Sequence, residues 1–389
     1  MNYNIVKTIL LFASTLTVMS GAIVAPALPS MASYFSEQSV SDLLVRLIIT
    51  MPALMIAFFS PSFGKLIDQY GRKTPLIAGL ILYAIAGTSG FYLDNIYYLL
   101  FSRIVLGIAV AAVMNSVTTL IGDYFEGEER SAFMGYQAAF MAMGGMVFVS
   151  FGGAVADLDW RLTFLMYGFS ILLILPAAVY LKDINKEKKE SKAYNNQNPE
   201  IEVDKLSVYA IYIMGFLGMA FFYFIPVQIP FYLKSINIEG SVYGGIAIGV
   251  TTFFAGLASL SFSRLKRKLS FQAIIGISYL VMAMGCIIIS SSASFTILLV
   301  GLCTYGLGAG LIMPGANLWL MSIVPAQSRG KFVGGLTAAF FTGQFVSPII
   351  ASPIINASSI GGLFLDSSIL MVAISLFWFS GLYKKIIPS

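Results

Sequence analysis

Two arginines stand where the chain is otherwise apolar. Arg103 lies early in one long hydrophobic run, four residues before Gly107, and Arg46 lies in another, four residues after Asp42. A guanidinium in such surroundings costs several kcal/mol unless it faces a polar cavity or a partner. Arg103 can therefore serve an anion or a proton path in a cavity. It can also be satisfied by the backbone carbonyls of a neighbouring helix, or snorkel to the surface. Arg46 reads either as half of an i,i+4 ion pair with Asp42 at a helix start, or as a cation at the mouth of a cavity. None of the 18 Asp and Glu residues falls in the middle of an apolar run, and Asp366 comes closest. There is no histidine, and Cys286 and Cys303 both sit in apolar runs as small buried hydrophobes. A His- or Cys-based metal site or nucleophilic dyad has nothing to stand on. No nucleotide-binding G-x-x-x-x-G-K-[ST] loop is present either. No cofactor, metal or catalytic residue is expected, and an enzyme is the reading the residues support least.

The elements that position these residues are set by composition. With 58% hydrophobic and 11% charged residues, the chain carries more apolar surface than a soluble domain can hide, so its solvent is lipid. Twelve apolar stretches of spanning length lie near 8–29, 43–63, 75–93, 97–121, 132–155, 162–181, 207–232, 241–262, 270–291, 295–323, 332–355 and 361–383. Their length and composition call for helices rather than the alternating ten-residue strands of a barrel. Ala25-Pro26-Ala27 imitates a signal-peptidase site, but the run holding it is long and eleven more follow, so it is expected to stay as a span.

The net charge of +5 is scattered over loops and is no nucleic-acid footprint. With the N-terminus in the cytoplasm, all but four of the 23 Lys and Arg residues fall on the cytoplasmic side, the exceptions being Arg46, Arg103, Arg161 and Lys234. That bias places both termini in the cytoplasm. The segment 182–205 is rich in Lys, Glu, Asn and Gln and reads as a flexible cytoplasmic linker between 1–181 and 206–389, six spans each. An internal repeat supports the division. A shift of 199 residues lays Arg130, Phe133 and Gly135 over Arg329, Phe332 and Gly334, and also maps Gly107 to Gly306 and Gly144 to Gly343.

Between the second and third spans runs Gly64-Lys65-Leu66-Ile67-Asp68-Gln69-Tyr70-Gly71-Arg72-Lys73. Glycines give this short turn its backbone freedom, and its acid and bases can hold neighbouring helix ends by charge. The pattern G-x-L-x-D-x-x-G-R-K in this setting resembles the loop signature of the major facilitator superfamily of secondary transporters, with Gln69 where that family has a base. Arg103 and Gly107 match the family's helix-4 pattern R-x-x-x-G, whose arginine is associated with proton coupling. Gly135, Gly144, Gly152 and Gly153 are similar to its helix-5 antiporter signature, although Phe148 and Val149 stand where Gly and Pro belong. The eleventh span keeps Gly334, Gly343, Ser347 and Pro348 at the corresponding spacing. Trp160, Arg161 and Phe164 fit the W-R-x-x-F pattern of drug-efflux-like members.

The resemblance implies an all-α membrane protein, twelve transmembrane helices in two pseudo-symmetric six-helix bundles, with a solute held between them. It implies coupling and gating roles for Arg103, Asp68, Gly64, Gly71, Arg72 and Asp42, with Asp42 and Asp68 as candidate proton carriers. Polar and aromatic residues deep in the cavity-lining spans, Ser20, Asn115, Tyr136, Gln137, Asn317 and Gln344, are candidates for solute contact. The seventh span adds Phe222, Tyr223 and Gln228, and Arg46 completes the set. A cavity offering arginine and no acid favours a neutral, zwitterionic or anionic solute over a lipophilic cation. The expectation is a proton-driven exporter of a small organic solute in the bacterial inner membrane, acting as a monomer with the lipid bilayer and protons as partners. The alternatives are an importer of a sugar or organic anion on the same scaffold, and a membrane receptor or lipid-handling protein without transport.

Overall fold

A computed structural model describes residues 3–36, 41–183, 204–325 and 328–380. Most of the 182–205 linker thus lies outside the described residues. Twelve helices long and apolar enough to cross a membrane follow one another, in register with the twelve stretches read from the sequence. They are α1 (Tyr3–Ser36), α2 (Asp42–Tyr70), α3 (Lys73–Thr88), α4 (Ile96–Tyr124), α5 (Gly127–Ala156) and α6 (Leu162–Tyr180). The second set is α7 (Lys205–Ser235), α8 (Ser241–Lys266), α9 (Phe271–Ser290), α10 (Phe295–Ile323), α11 (Arg329–Ala357) and α12 (Ile360–Phe379).

Four spans are broken, and proline explains three of the breaks; α6 instead tightens to a 3-10 turn over Met166–Ser170 with no proline at the break. Proline has no amide hydrogen to give the carbonyl four residues earlier. The first helix of α1 ends at Ala22, four residues before Pro26. In α7 the helix ends at Phe222, four before Pro226, and resumes at Phe224. In α10 it ends at Ala309 with Gly310 as its cap, four before Pro314, and resumes at Ile312. Elsewhere Pro52, Pro61, Pro348 and Pro353 stay inside continuous helices.

The helices α1–α6 pack on one another and α7–α12 do likewise, while α2 against α11 and α5 against α8 join the two sets. Glycines at repeat-related positions show the symmetry directly. A Cβ on Gly107 of α4 would meet Pro52 and Met55 of α2, and one on Gly306 of α10 would meet Thr251 and Phe254 of α8. Likewise Gly144 of α5 faces Thr15 of α1, and Gly343 of α11 faces Phe216 of α7. The repeat read at a shift of 199 residues is therefore a repeat of packing.

The end of the bundle that carries the 182–205 segment is the linker end, and the opposite one is the loop end. Close packing between the halves belongs to the loop end. Along α5 and α8 it runs from Gly153 against Ser241 and Val242, through Gly249 against Met146 and Ser150, to Gly256 against Ala142. Beyond that level, Gly64, Gly135, Gly330 and Gly334 have nothing within 4 Å of where a Cβ would sit. Among the described residues, the close contacts between the halves cluster toward the loop end.

A cross-half grip secures the closed end. Asp157, just past α5, accepts hydrogen bonds from the backbone amides of Ser241 and Val242, the second at 3.2 Å. A carboxylate at the first turn of a helix meets unpaired amides and the positive end of the helix dipole. Lys234 adds a hydrogen bond to Ser33 Oγ across the same divide at 3.2 Å.

Candidate functional site

At the linker end the glycine turn is built on a backbone only glycine accepts easily. Gly71 ends α2 at φ 82°, ψ 177°, and a Cβ there would come within 2.6 Å of the Asp183 carboxylate. Asp183, past the end of α6, accepts hydrogen bonds from the amides of Arg72 (2.7 Å) and Lys73 (3.0 Å), capping α3 from a distance in sequence. Arg72 Nε pairs with Asp123 at 2.8 Å. One turn thus ties the ends of α2, α3, α4 and α6. The side chain of Asp68 lies outside the described residues, and Gly64 is exposed with open space around it.

Gly71→Ala is expected to lower the melting temperature in detergent, since that backbone region costs a non-glycine residue about 1–3 kcal/mol. Adding Asp183→Ala should cost less than the sum of the two single changes, because the Cβ no longer meets a carboxylate. A melting curve for Gly71→Ala that overlays the wild type contradicts this account of the turn.

Arg103 is enclosed by the first half, and one of its Nη atoms has no hydrogen-bond partner. It is 1% exposed and packed inside the first half. One Nη donates to the carbonyls of Ala86 (2.7 Å) and Gly87 (3.1 Å) at the end of α3, and Nε donates to Ser102 Oγ (3.2 Å). Its guanidinium lies 5.0 Å from the ring centre of Phe164 and 5.2 Å from that of Tyr167. Tyr167 also donates to the Ser20 carbonyl of α1 at 3.0 Å. The backbone-carbonyl reading of this arginine is the one the geometry realises. It removes the argument that Arg103 gives the cavity a positive potential. Both carbonyls lie in the last turn of α3, just before the 3-10 turn Ser89–Phe91, and that of Ala86 also accepts from Ser89 Oγ at 2.8 Å.

Arg46 and Asp42 are corrected as a pair. Asp42 is exposed in the first turn of α2, which Ser41 caps, whereas Arg46 is 5% exposed. No ion pair joins them; Arg46 instead lies 4.7 Å from the Phe231 ring of α7. Burial of one member and exposure of the other prevents the pairing that i,i+4 spacing alone suggested.

Deeper in the same seam, four helices meet around Gly21 of α1. A Cβ there would touch the Tyr223 hydroxyl (3.1 Å), Gln344 Nε2 (3.5 Å) and the Ile49 carbonyl (3.5 Å). Tyr223 sits at the break in α7, and its hydroxyl and the Gln344 amide of α11 converge on Gly21. The seam therefore brings together Tyr223 and Gln344 among the residues expected from sequence, while Arg46 meets Phe231 of α7 and Gln228 is fully buried on α7. Gln137 donates to Ser14 Oγ at 2.9 Å and ties α5 to α1. Asn115 and Asn317 spend their amides on carbonyls one turn earlier in their own helices, those of Ala111 and Met313. Phe222 stacks edge-on to Tyr223, and Tyr136 stands 66% exposed. Sequence reasoning passed over Thr50 and gave Ser347 no role; both are fully buried and unpaired. A hydroxyl in a helix is an ordinary residue, so composition held no signal for them. At the loop end, Arg161 pairs with Asp94 and lies against the rings of both Tyr34 and Trp160, 4.7 and 4.5 Å from their centres.

Twelve spans, a two-fold repeat and a polar seam at helix breaks describe a secondary-transporter scaffold. The family model of the Major Facilitator Superfamily matches residues 10–348, and the chain belongs to that superfamily. Among curated relatives, it is 24% identical over 361 residues to the quinolone resistance protein NorA of Staphylococcus aureus, covering 90% of this chain and 89% of that one. It is also 24% identical over 355 residues to multidrug resistance protein 1 of Bacillus subtilis, with 89% of each chain covered. Among solved structures, a D-xylose-proton symporter superposes with a TM-score of 0.79 at 14% identity, over 100% of this chain and 98% of the other. A bacterial homologue of the human lysosomal transporter Spinster, inward-facing and occupied, gives 0.78 at 15% identity, covering 99% and 98%. Family and fold are those of transporters.

Proposed function

We propose that this protein is a proton-coupled exporter of small organic solutes in the bacterial inner membrane, working as a monomer by alternating access. The carrying observation is the seam. Side chains from both halves meet there beside the breaks in α1 and α7, and the close contacts between the halves cluster toward the loop end. The charge distribution sets the linker end in the cytoplasm, so this arrangement is the inward-facing one. Export is supported by the relatives, whose names describe drug resistance. The symporter likeness concerns the fold alone. No nucleotide loop is present in the sequence, so an ion gradient supplies the energy. The division 1–181, 182–205 and 206–389 is that of two rocking halves and their tether.

The test is flux into proteoliposomes against a panel of anionic and zwitterionic metabolites. An exporter exchanges solute for protons, so molecules with the linker end outward should concentrate solute when the lumen is acidic. A protonophore should abolish the accumulation. Accumulation that requires an alkaline lumen is symport and overturns the reading.

Orientation has its own check, in a chain with Cys286 and Cys303 replaced. An impermeant thiol reagent on intact cells should modify Ser235→Cys and spare Ser191→Cys. The reverse pattern inverts the topology.

A further inference from the structure

The closed seam buries polar groups that nothing in the protein satisfies. Arg46 is 5% exposed, and Thr50, Gln228 and Ser347 are each 0% exposed. Arg46 Nε, Thr50 Oγ1, Ser347 Oγ and both amide atoms of Gln228 have no hydrogen-bond partner. They come from both halves, two from α2, one from α7 and one from α11. Ile49, Tyr223 and Gln344 meet at Gly21, and Arg46 meets Phe231 nearer the loop end. Thr50 follows Ile49, Ser347 lies one turn past Gln344, and Gln228 falls between Tyr223 and Phe231. All four residues thus lie at depths between Gly21 and the loop end.

Buried polar groups without partners disfavour the state that buries them. The same groups are satisfied once the loop end opens and water or a solute reaches them. Their chemistry is specific. One guanidinium offers a planar fork suited to a carboxylate, and an amide and two hydroxyls can add donors. The ring of Phe231 offers an apolar platform beside the charge. Among the described residues, no carboxylate lies within ion-pair distance of Arg46, and Asp42 reaches it only through its field.

Resting on the transport reading above, we propose that Arg46, Thr50, Gln228 and Ser347 form the outward-facing part of the solute site, which binds the anionic group of an amphiphilic organic anion. The anion replaces the missing partner of the guanidinium, and the body of the solute lies on Phe231.

The experiment uses the purified full chain and two aromatic probes, carboxyfluorescein as an anion and ethidium as a cation, with binding read by fluorescence anisotropy. Arg46→Ala should weaken carboxyfluorescein binding about tenfold or more, with Arg46→Lys intermediate, while ethidium is unaffected. Thr50→Val and Gln228→Leu separate binding from structure. These apolar replacements relieve unsatisfied burial, so each should keep or raise the melting temperature while weakening the anion. The site is overturned if carboxyfluorescein does not bind, if Arg46→Ala binds it as the wild type does, or if Thr50→Val and Gln228→Leu lower the melting temperature and leave binding intact. Any of these results beside reciprocal opening of the two ends removes the anion site and leaves the transport reading. A loop end that never opens removes the transport reading itself.

Discussion

Arg103→Ala should destabilise the protein more than the loss of any other single buried polar side chain. The guanidinium holds two carbonyls at the end of α3 and lies against Phe164 and Tyr167 of α6. Hydrogen bonds from a charged group contribute about 1.5–3 kcal/mol each, and of the two carbonyls left behind that of Ala86 keeps the hydrogen bond from Ser89 Oγ. Desolvated cation–ring contact adds about 2 kcal/mol. These terms overlap, and a net loss of roughly 3–5 kcal/mol is the expectation, the range seen when a buried charge loses its partner. Arg103→Lys should recover only part of it, since an ammonium lacks the fork that spans Ala86 and Gly87. Melting in detergent and yield in the membrane read this directly. A variant that melts with the wild type yet loses proton coupling returns Arg103 to the coupling role its helix-4 pattern implies.

Gly153→Leu should abolish transport by a different route, with the protein folded and inserted. A Cβ at this position falls 2.6 Å from the Ser241 carbonyl and 3.1 Å from the Val242 Cα. Both are backbone atoms of the opposing half, so no rotamer change makes room, and overpacking of this kind costs about 1–3 kcal/mol or more. The contact lies between the halves rather than within one. The loop end is therefore wedged apart, and the grip of Asp157 on the first turn of α8 is lost with it. Val179→Leu, at an exposed position of α6 away from the contact between the halves, is the control and should transport normally. Equal transport by wild type and Gly153→Leu would show that the loop-end seam need not close.

The spans were legible because a bilayer imposes one length and one composition on every crossing, and even the breaks in α1, α7 and α10 are written as Pro26, Pro226 and Pro314. The repeat of Gly107 and Gly144 at Gly306 and Gly343 was legible because close helix approach there leaves no alternative residue. Contacts between remote segments were not. Asp123 and Asp183 meet Arg72 only after four helices assemble, and nothing local to either acid announces it. Arg103 illustrates the same limit. An arginine in an apolar run must be satisfied, but an almost uniformly apolar helix does not show which face it takes, and the carbonyls that satisfy it belong to another helix. Asp42 and Arg46 had the spacing of a pair, and only burial separated them. Thr50 and Ser347 carry meaning solely through the partners they lack.

Alternating access makes the most direct demand of all on the distances between the two halves. Spin labels at Leu158 and Ser294 report the loop end, and labels at Glu128 and Arg264 report the linker end. Electron–electron distances in lipid nanodiscs, taken across a pH series with and without carboxyfluorescein, should change in opposite senses: the loop-end pair lengthens as the linker-end pair shortens. In Gly153→Leu the loop-end pair should stay long throughout. Two distances that remain fixed, or that lengthen and shorten together, would contradict a transporter whose halves rock about the seam.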